Sequence, residues 1–317
     1  MTRRVLAVVL VFAGILSVDA EDLVLVVDPA DEKAFHSIKQ AVDAAVARGE
    51  RQVGECRIRI KAGVYREKLV IPKEAGEVVL EGEDEARTVI VFGDGADTPR
   101  PEGGTVGTFD SATITFRCPE IRASRLTFEN ARGKGSQAVA VSLASEKGEF
   151  RNCRFLGCQD TLLIQSGKHF FQGCRVEGDV DFIFGAGVGF FRSCEIHVKD
   201  NGYITAASTP EKQDYGFVFD HCSVTVAPIA KRVYLGRPWR PHAAVAFLNC
   251  SMERGISAAG WDNWRNPENE KTARYVEYRN TGEGSVIGQR AAWTRQLDDK
   301  QAGDYAMKKV LGWEPEP

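Results

Sequence analysis

"FRNCRFLGCQDTLLIQSGKHFFQGCRVEGDVDFIFGAG", residues 150–187, carries the same phrase twice. Phe150-Arg-Asn-Cys153-Arg-Phe155 is followed by Phe171-Gln-Gly-Cys174-Arg-Val176. The frame continues as Phe191-Arg-Ser-Cys194-Glu-Ile196, Phe219-Asp-His-Cys222-Ser-Val224 and Phe247-Leu-Asn-Cys250-Ser-Met252. Upstream, Ile121-Arg-Ala-Ser124-Arg-Leu126 fits the same rule of apolar-x-x-small-x-apolar. Successive small residues are 29, 21, 20, 28 and 28 positions apart. Repetition at this period marks a solenoid. The units alternate apolar and polar residues at period two and favour Phe, Val and Ile, so each coil is built of strands. The expected fold is all-β, a parallel β-helix in which the small residue of each coil points inward and stacks on the next.

The same arithmetic places two carboxylates. Asp160 lies seven residues after Cys153, and Asp181 lies seven after Cys174. If the cysteines stack, the aspartates stand side by side on adjacent coils, at the ~4.8 Å spacing of neighbouring strands. Two like charges so close share a proton, which leaves one acid and one nucleophilic carboxylate. Solvated aspartates on a coil surface would carry the same spacing. The polar neighbours favour a site. Gln159 precedes Asp160, and Gln137 sits in "KGSQAVAVSL" near the next coil back. Side-chain amides can donate to a developing oxyanion. Arg237 lies between Gly236 and Pro238 in "VYLGRPWRP". It offers the planar fork that suits a carboxylate, although a structural ion pair would read the same. Trp239 follows it, and Trp261 and Trp264 lie in "AAGWDNWRN". These rings could serve as sugar platforms or as packing.

Composition sets the boundaries. The chain has 317 residues, 43% hydrophobic and 27% charged, with a formal net charge of −3. That balance argues against a nucleic-acid binder held by a basic face. At the N-terminus Arg3 and Arg4 precede the apolar run Val5–Leu16. Val18 and Ala20 suit cleavage before Glu21. Residues 1–20 are therefore expected to be a signal peptide and 21–317 a single catalytic domain. The mature chain is expected to be exported, secreted or periplasmic, with no membrane span, since the apolar run is too short to cross a bilayer. Export raises the question of disulfides for the eight cysteines. Stacked side chains run parallel, against disulfide geometry, so the ladder cysteines are expected to be small buried hydrophobes. Cys56, Cys118 and Cys158 fall off the ladder, and no Cys-x-x-Cys pair suggests zinc. Residues 33–48 place Phe35, Ile38, Val42 and Ala45 on one helical face, a cap for the first coil. A short helix near Asp304–Leu311 should lie outside the solenoid with Trp293 and Trp313 as anchors.

These motifs closely resemble one family, the pectin methylesterases, which are right-handed parallel β-helix carbohydrate esterases. "GVYREKLVI" resembles the family's early Gly-x-Tyr-x-Glu coil. "TFDSAT", "LTFENARGKGSQAVAV", "GCQDTL", "GDVDFIFG", "YLGRPW", "AAGW" and "RYVEYRNTGEGS" follow in order. The resemblance implies that Asp181 attacks the C6 methyl ester of a galacturonosyl unit. It implies that Asp160 protonates methanol and then activates water, that Gln137 and Gln159 hold the oxyanion, and that Arg237 orients Asp181. Thr108, Gln137, Phe184, Arg237, Trp239 and Trp261 would contact the sugar chain. No metal or organic cofactor is implied, and the expected partner is methyl-esterified pectin, met by a monomer. "YITAASTPEKQDYGFVF" looks more like bacterial members than plant ones, and Cys158 stands where an aromatic residue is expected.

Rival readings share the polymer or the fold. A β-helix polygalacturonase also uses two carboxylates, but its Asn-Thr-Asp and Gly-His-Gly marks are missing. A pectate lyase would need clustered acidic ligands for calcium, with Asp179 and Asp181 as candidates. No Gly-x-Ser-x-Gly elbow supports a serine esterase. A non-catalytic carbohydrate-binding solenoid gives no reason for the aspartate pair.

Overall fold

The computed structural model describes residues 23–47 and 55–315; the expected signal peptide lies outside them. The chain winds into a right-handed parallel β-helix. One sheet of eleven strands runs from Leu23–Val27 to Arg295–Gln296, and a second of thirteen covers the other faces of the coil. Every pairing between named strands is parallel, and each strand lies over its counterpart one coil away. The second sheet contains two ladders that merge at the long strands Arg175–Gly185 and Glu195–Ala207.

The repeated phrase has a backbone meaning. Asn152, Gly173, Ser193, His221 and Asn249 all have φ between 50° and 61°. Each stands just before a ladder cysteine and turns the chain from one sheet into the next. Their N–H groups donate to the carbonyls of Gln172, Arg192, Asp220, Leu248 and Tyr278 on the following coil, at 2.8–3.2 Å. The cysteine thiols point inward. Cys174, Cys194, Cys222 and Cys250 donate to the carbonyls of Phe150, Phe171, Phe191 and Phe219 one coil back. The five ladder cysteines are free and buried, as expected. Burial pushes the Cys222 and Cys250 thiols well up, so they remain protonated.

Beside the thiols runs a stack of phenylalanines. Phe150, Phe171, Phe191, Phe219 and Phe247 follow one another at centroid distances of 5.1, 4.4, 4.7 and 4.3 Å, with nearly parallel ring planes at each step. This column fills the interior along five coils.

One expected rung is shifted. Phe150 pairs with Ala123 and Arg151 with Ser124, so Ser124 stands two residues short of the ladder. Arg154 pairs with Thr127, which makes Leu126 the counterpart of Cys153. Arg125, with φ of 54°, is the turn residue equivalent to Asn152, so the alternation breaks there: Ser124 takes the outward place of Arg151 and Leu126 the inward place of Cys153.

The capping helix spans Ile38–Ala47 and buries Ile38, Ala41, Val42 and Ala45. It starts later than expected, because Phe35 is extended and bridges to Val27. Its start is set from a distance. The Glu67 carboxylate accepts the N–H groups of Ile38 and Lys39 at 2.9 and 2.8 Å. These two bonds compensate unsatisfied donors of the first turn. At the other end, Met307–Leu311 is helical, and Val310 and Leu311 pack with Phe170, Val188 and Phe190 on the outside of the eleven-stranded sheet. Trp313 joins that cluster, whereas Trp293 packs near Tyr275 at the end of the internal core.

The phenylalanine column makes a direct prediction. Phe191 is a fully buried ring with stacked neighbours on both sides. Phe191→Ala should lower the unfolding free energy by about 3–5 kcal/mol in chemical denaturation.

Candidate active site

Asp160 and Asp181 do meet on neighbouring coils, Asp160 in the turn that leads into the strand Leu162–Ile164 and Asp181 within Arg175–Gly185. Leu162 pairs with Ile183, so the residues two positions earlier stand opposite each other. The Asp160 N–H donates to the Val180 carbonyl at 3.1 Å. Both aspartates adopt the left-handed region, with φ of 67° and 53°. Asp accepts this conformation better than most residues. Around Asp181 the pairing of Arg175–Gly185 with Glu195–Ala207 is irregular, with register shifts between Gly178 and Val180 and between Val180 and Ile183. Such bulges re-aim side chains next to sites.

Both carboxyl groups are buried, each residue being 5% exposed. Burial pushes Asp160 up to about 8, and the neighbouring Asp181 charge adds to the shift. Asp181 is also pushed up by burial, but Arg237 opposes the shift. Arg237 grips Asp181 with both prongs, Nε to Oδ1 at 2.9 Å and Nη2 to Oδ2 at 2.7 Å. The pair titrates as a unit. Its stable arrangement at neutral pH keeps the proton on Asp160 and the charge on Asp181, where the guanidinium lies.

The arginine is itself held. Its guanidinium lies 3.8 Å from the ring centroid of Tyr203 and 3.8 Å from that of Trp264. It is thus flanked by two aromatic side chains whose faces attract a cation. Its backbone N–H donates to Thr205 and that of Trp239 to Ala207, both at 2.9 Å. Gly236 allows this close docking, since a Cβ there would meet the Thr205 hydroxyl at 2.0 Å.

Around the pair lies a cleft of about 190 Å³. It gathers eight of the nine residues expected at the site: Thr108, Gln137, Gln159, Asp160, Asp181, Phe184, Arg237 and Trp239. The two glutamines come from adjacent coils, joined by the Ala138 N–H donating to the Gln159 carbonyl at 3.1 Å. Phe184 and Trp239 make an aromatic wall, with centroids 6.1 Å apart.

Trp261, the ninth, is elsewhere. It is 2% exposed, packs against Phe247 and Tyr275, and donates its indole N–H to Glu277 at 3.1 Å. Glu277 is paired in turn with buried Arg290 at 2.9 Å. Trp264, three residues on, lines the cleft instead. Trp264 and Arg265 both have positive φ, so strand alternation could not say which tryptophan faces out. Phe109 and Ala206 also line the cleft, and neither carried a signal in the sequence beyond its neighbours. Among the described residues no group of three or more His, Cys, Asp or Glu side chains is arranged to hold a metal ion.

A parallel β-helix whose outer face holds a buried acid beside an arginine-bound carboxylate has the equipment of a hydrolase acting through paired carboxylates. The sequence profile of the pectinesterase family matches residues 24–314. Pectinesterase 31 of Arabidopsis thaliana is 36% identical over 279 residues, covering 86% of each chain. Among solved structures, the pectin methylesterase PemA of Erwinia chrysanthemi superposes with a TM-score of 0.80 at 31% identity, over 93% of this chain and 98% of that one. The carrot pectin methylesterase gives 0.83 at 29% identity, over 92% of both chains. The chain belongs to the pectinesterase family, and it is an esterase.

The raised Asp160 has a stability consequence. Its folded pKa, about 8, exceeds the ordinary 3.8. Its contribution is therefore intact below about pH 4 and is lost progressively as pH rises to about 8. Asp160→Asn does not titrate. Its melting temperature should match that of the parent near pH 4 and exceed it by about 5 °C near pH 9, in thermal scans across that range.

Proposed function

We propose that this esterase removes methyl esters from the C6 carboxyl groups of homogalacturonan, releasing methanol and leaving pectate. Asp181, ionised against Arg237, attacks the ester carbonyl carbon. The oxyanion of the tetrahedral intermediate accepts hydrogen bonds from the side-chain amides of Gln137 and Gln159. The intermediate collapses as the carbon–oxygen bond to methoxide breaks, and Asp160 supplies the proton that makes methanol. An acyl-enzyme on Asp181 remains. Asp160, now a carboxylate, takes a proton from water as the water attacks the acyl carbon. Collapse frees the galacturonic acid, which gives its remaining proton to solvent, and returns Asp181 ionised and Asp160 protonated.

The observation that carries this reading is the asymmetry of the pair. One buried carboxyl group has its proton pushed on by burial and by its neighbour, and the other has a bidentate cation. Nucleophile and acid are thereby distinguished at neutral pH. Thr108, Phe184 and Trp239 would contact the sugar chain, and Trp264 takes the place given to Trp261. A pectin methylesterase 32% identical to this chain, with a TM-score of 0.80 over 92% of this chain and 98% of that one, has been solved in complex with a hexasaccharide. The protein would act on the polymer as a monomer. No helix among the described residues is long and apolar enough to cross a membrane. Residues 1–20 would direct export, to the periplasm or outside the cell.

Incubation with highly methylated pectin should release methanol without new reducing ends or unsaturated uronide. Reducing ends would indicate glycoside hydrolysis, and unsaturated product a lyase. Asp181→Ala and Asp160→Ala should each lower kcat by at least about 1,000-fold while the circular dichroism is retained, and Gln159→Ala by about 100-fold. The pH profile follows from the same groups. The rate falls on the acid side as Asp181 takes a proton. On the alkaline side it falls as Asp160 loses one near pH 8. Beyond that point the loss is roughly tenfold per pH unit.

A further inference from the structure

Asn130 closes the strand Thr127–Asn130, seven residues before Gln137, and takes no part in lining the cleft. It is 4% exposed, and its amide is used at both ends. Nδ2 donates to the carbonyls of Asp94, Ser111 and Val139 at 2.9, 3.2 and 2.9 Å, so one of its two N–H bonds is shared. Oδ1 accepts the Arg132 N–H at 3.0 Å. Three carbonyls on one side and an N–H on the other suit a side-chain amide, which both donates and accepts. An aspartate would turn an oxygen toward three carbonyl oxygens. An apolar side chain would leave four backbone groups without this partner.

These bonds converge on the segment that carries Gln137. Val139 lies two residues beyond Gln137 and so faces the same way in an extended chain. Its carbonyl accepts from Asn130 and from the Thr113 N–H, and its own N–H donates to the buried Ser111 hydroxyl at 3.0 Å. The Gln137 carbonyl accepts the Ala96 N–H at 2.8 Å. Ala96 lies two residues after Asp94, whose carbonyl Asn130 also binds. Between Asn130 and Gln137 runs a loop, residues 131–136, in which Gly133 and Gly135 have φ of 77° and 100°. Its side-chain tethers are the ion pairs of Arg132 with Asp97, at 2.6 Å, and of Lys134 with Asp200. Pairs open to solvent contribute little. The buried amide is the fixed point from which the Gln137 segment is hung.

We propose that Asn130 is a positioning residue for the oxyanion donor Gln137. It sets the line of the extended segment from which the Gln137 amide reaches the cleft, and it acts on the reaction through that amide. The inference rests on the proposed reaction and adds to it a residue that touches neither substrate nor reacting atoms. A donor displaced by about 1 Å loses much of its hold on the transition state. The ground-state ester depends on it far less, so the loss falls on kcat and not on KM.

The test is a double-mutant cycle on the whole protein, with methanol release from methylated pectin as the assay. Asn130→Ala should lower kcat about twentyfold and change KM by less than about twofold. In a Gln137→Ala background the same substitution should cost less than about twofold, because the group it positions is gone. An equal loss in both backgrounds overturns the proposal, since a general structural role would be additive. So does an unchanged kcat in Asn130→Ala. Asn130→Ser keeps one hydroxyl donor and should lose about fivefold; it carries the cycle if Asn130→Ala does not fold. The second readout is amide hydrogen exchange. The Ala138 and Val139 N–H groups should exchange at least about tenfold faster in either Asn130 variant, and unchanged protection overturns the assignment. If the parent releases no methanol, the proposed reaction fails, and the exchange comparison still decides whether Asn130 holds the Gln137 segment.

Discussion

Parallel hydrogen bonds between successive coils decide which side chain stands over which. The same register that lays Phe171 on Phe150 also puts Ile183 beside Leu162, and hence Asp181 beside Asp160. Core and site are two faces of one ladder. The inward-facing residues bury the apolar area that holds the coils together. That rigidity lets two carboxyl groups persist at a distance they would not choose in solution.

Keeping two carboxyl groups buried is unfavourable unless one is neutral and the other is paired. The protein does both. Asp160 keeps its proton, and Asp181 is bound at both oxygens by an arginine that two aromatic rings flank. Removing Arg237 would leave Asp181 without its cation and erase the distinction between acid and nucleophile. The tyrosine, the tryptophan and the close docking of Gly236 on Thr205 therefore act on the chemistry through the arginine's position.

The loop bearing Trp264 ties this arrangement to the end of the solenoid. Trp261 is fixed in the core by Tyr275 and by Glu277, which is itself paired with Arg290. The Trp264 N–H donates to Asp262 at 2.7 Å, in a short turn that leaves its ring over Arg237. A buried ion pair far along the chain thus anchors one wall of the cleft.

Much of this was legible in the sequence, because a solenoid turns spatial neighbours into a sequence period. The repeat determined the fold class, the inward cysteines and the juxtaposition of Asp160 with Asp181. The capping helix and the outer C-terminal helix followed from local apolar patterns. Three things were decided only by tertiary structure. Leu126 rather than Ser124 completes the ladder, since the left-handed turn that breaks the alternation falls on Arg125, a residue type that does not announce it. Trp264 rather than Trp261 faces the cleft, since an irregular turn has no period to read. And the assignment of charge within the aspartate pair depends on Arg237, 56 residues from Asp181 along the chain. Both aspartates have the same spacing from their cysteines, so no local pattern distinguishes them; burial and the position of one guanidinium do.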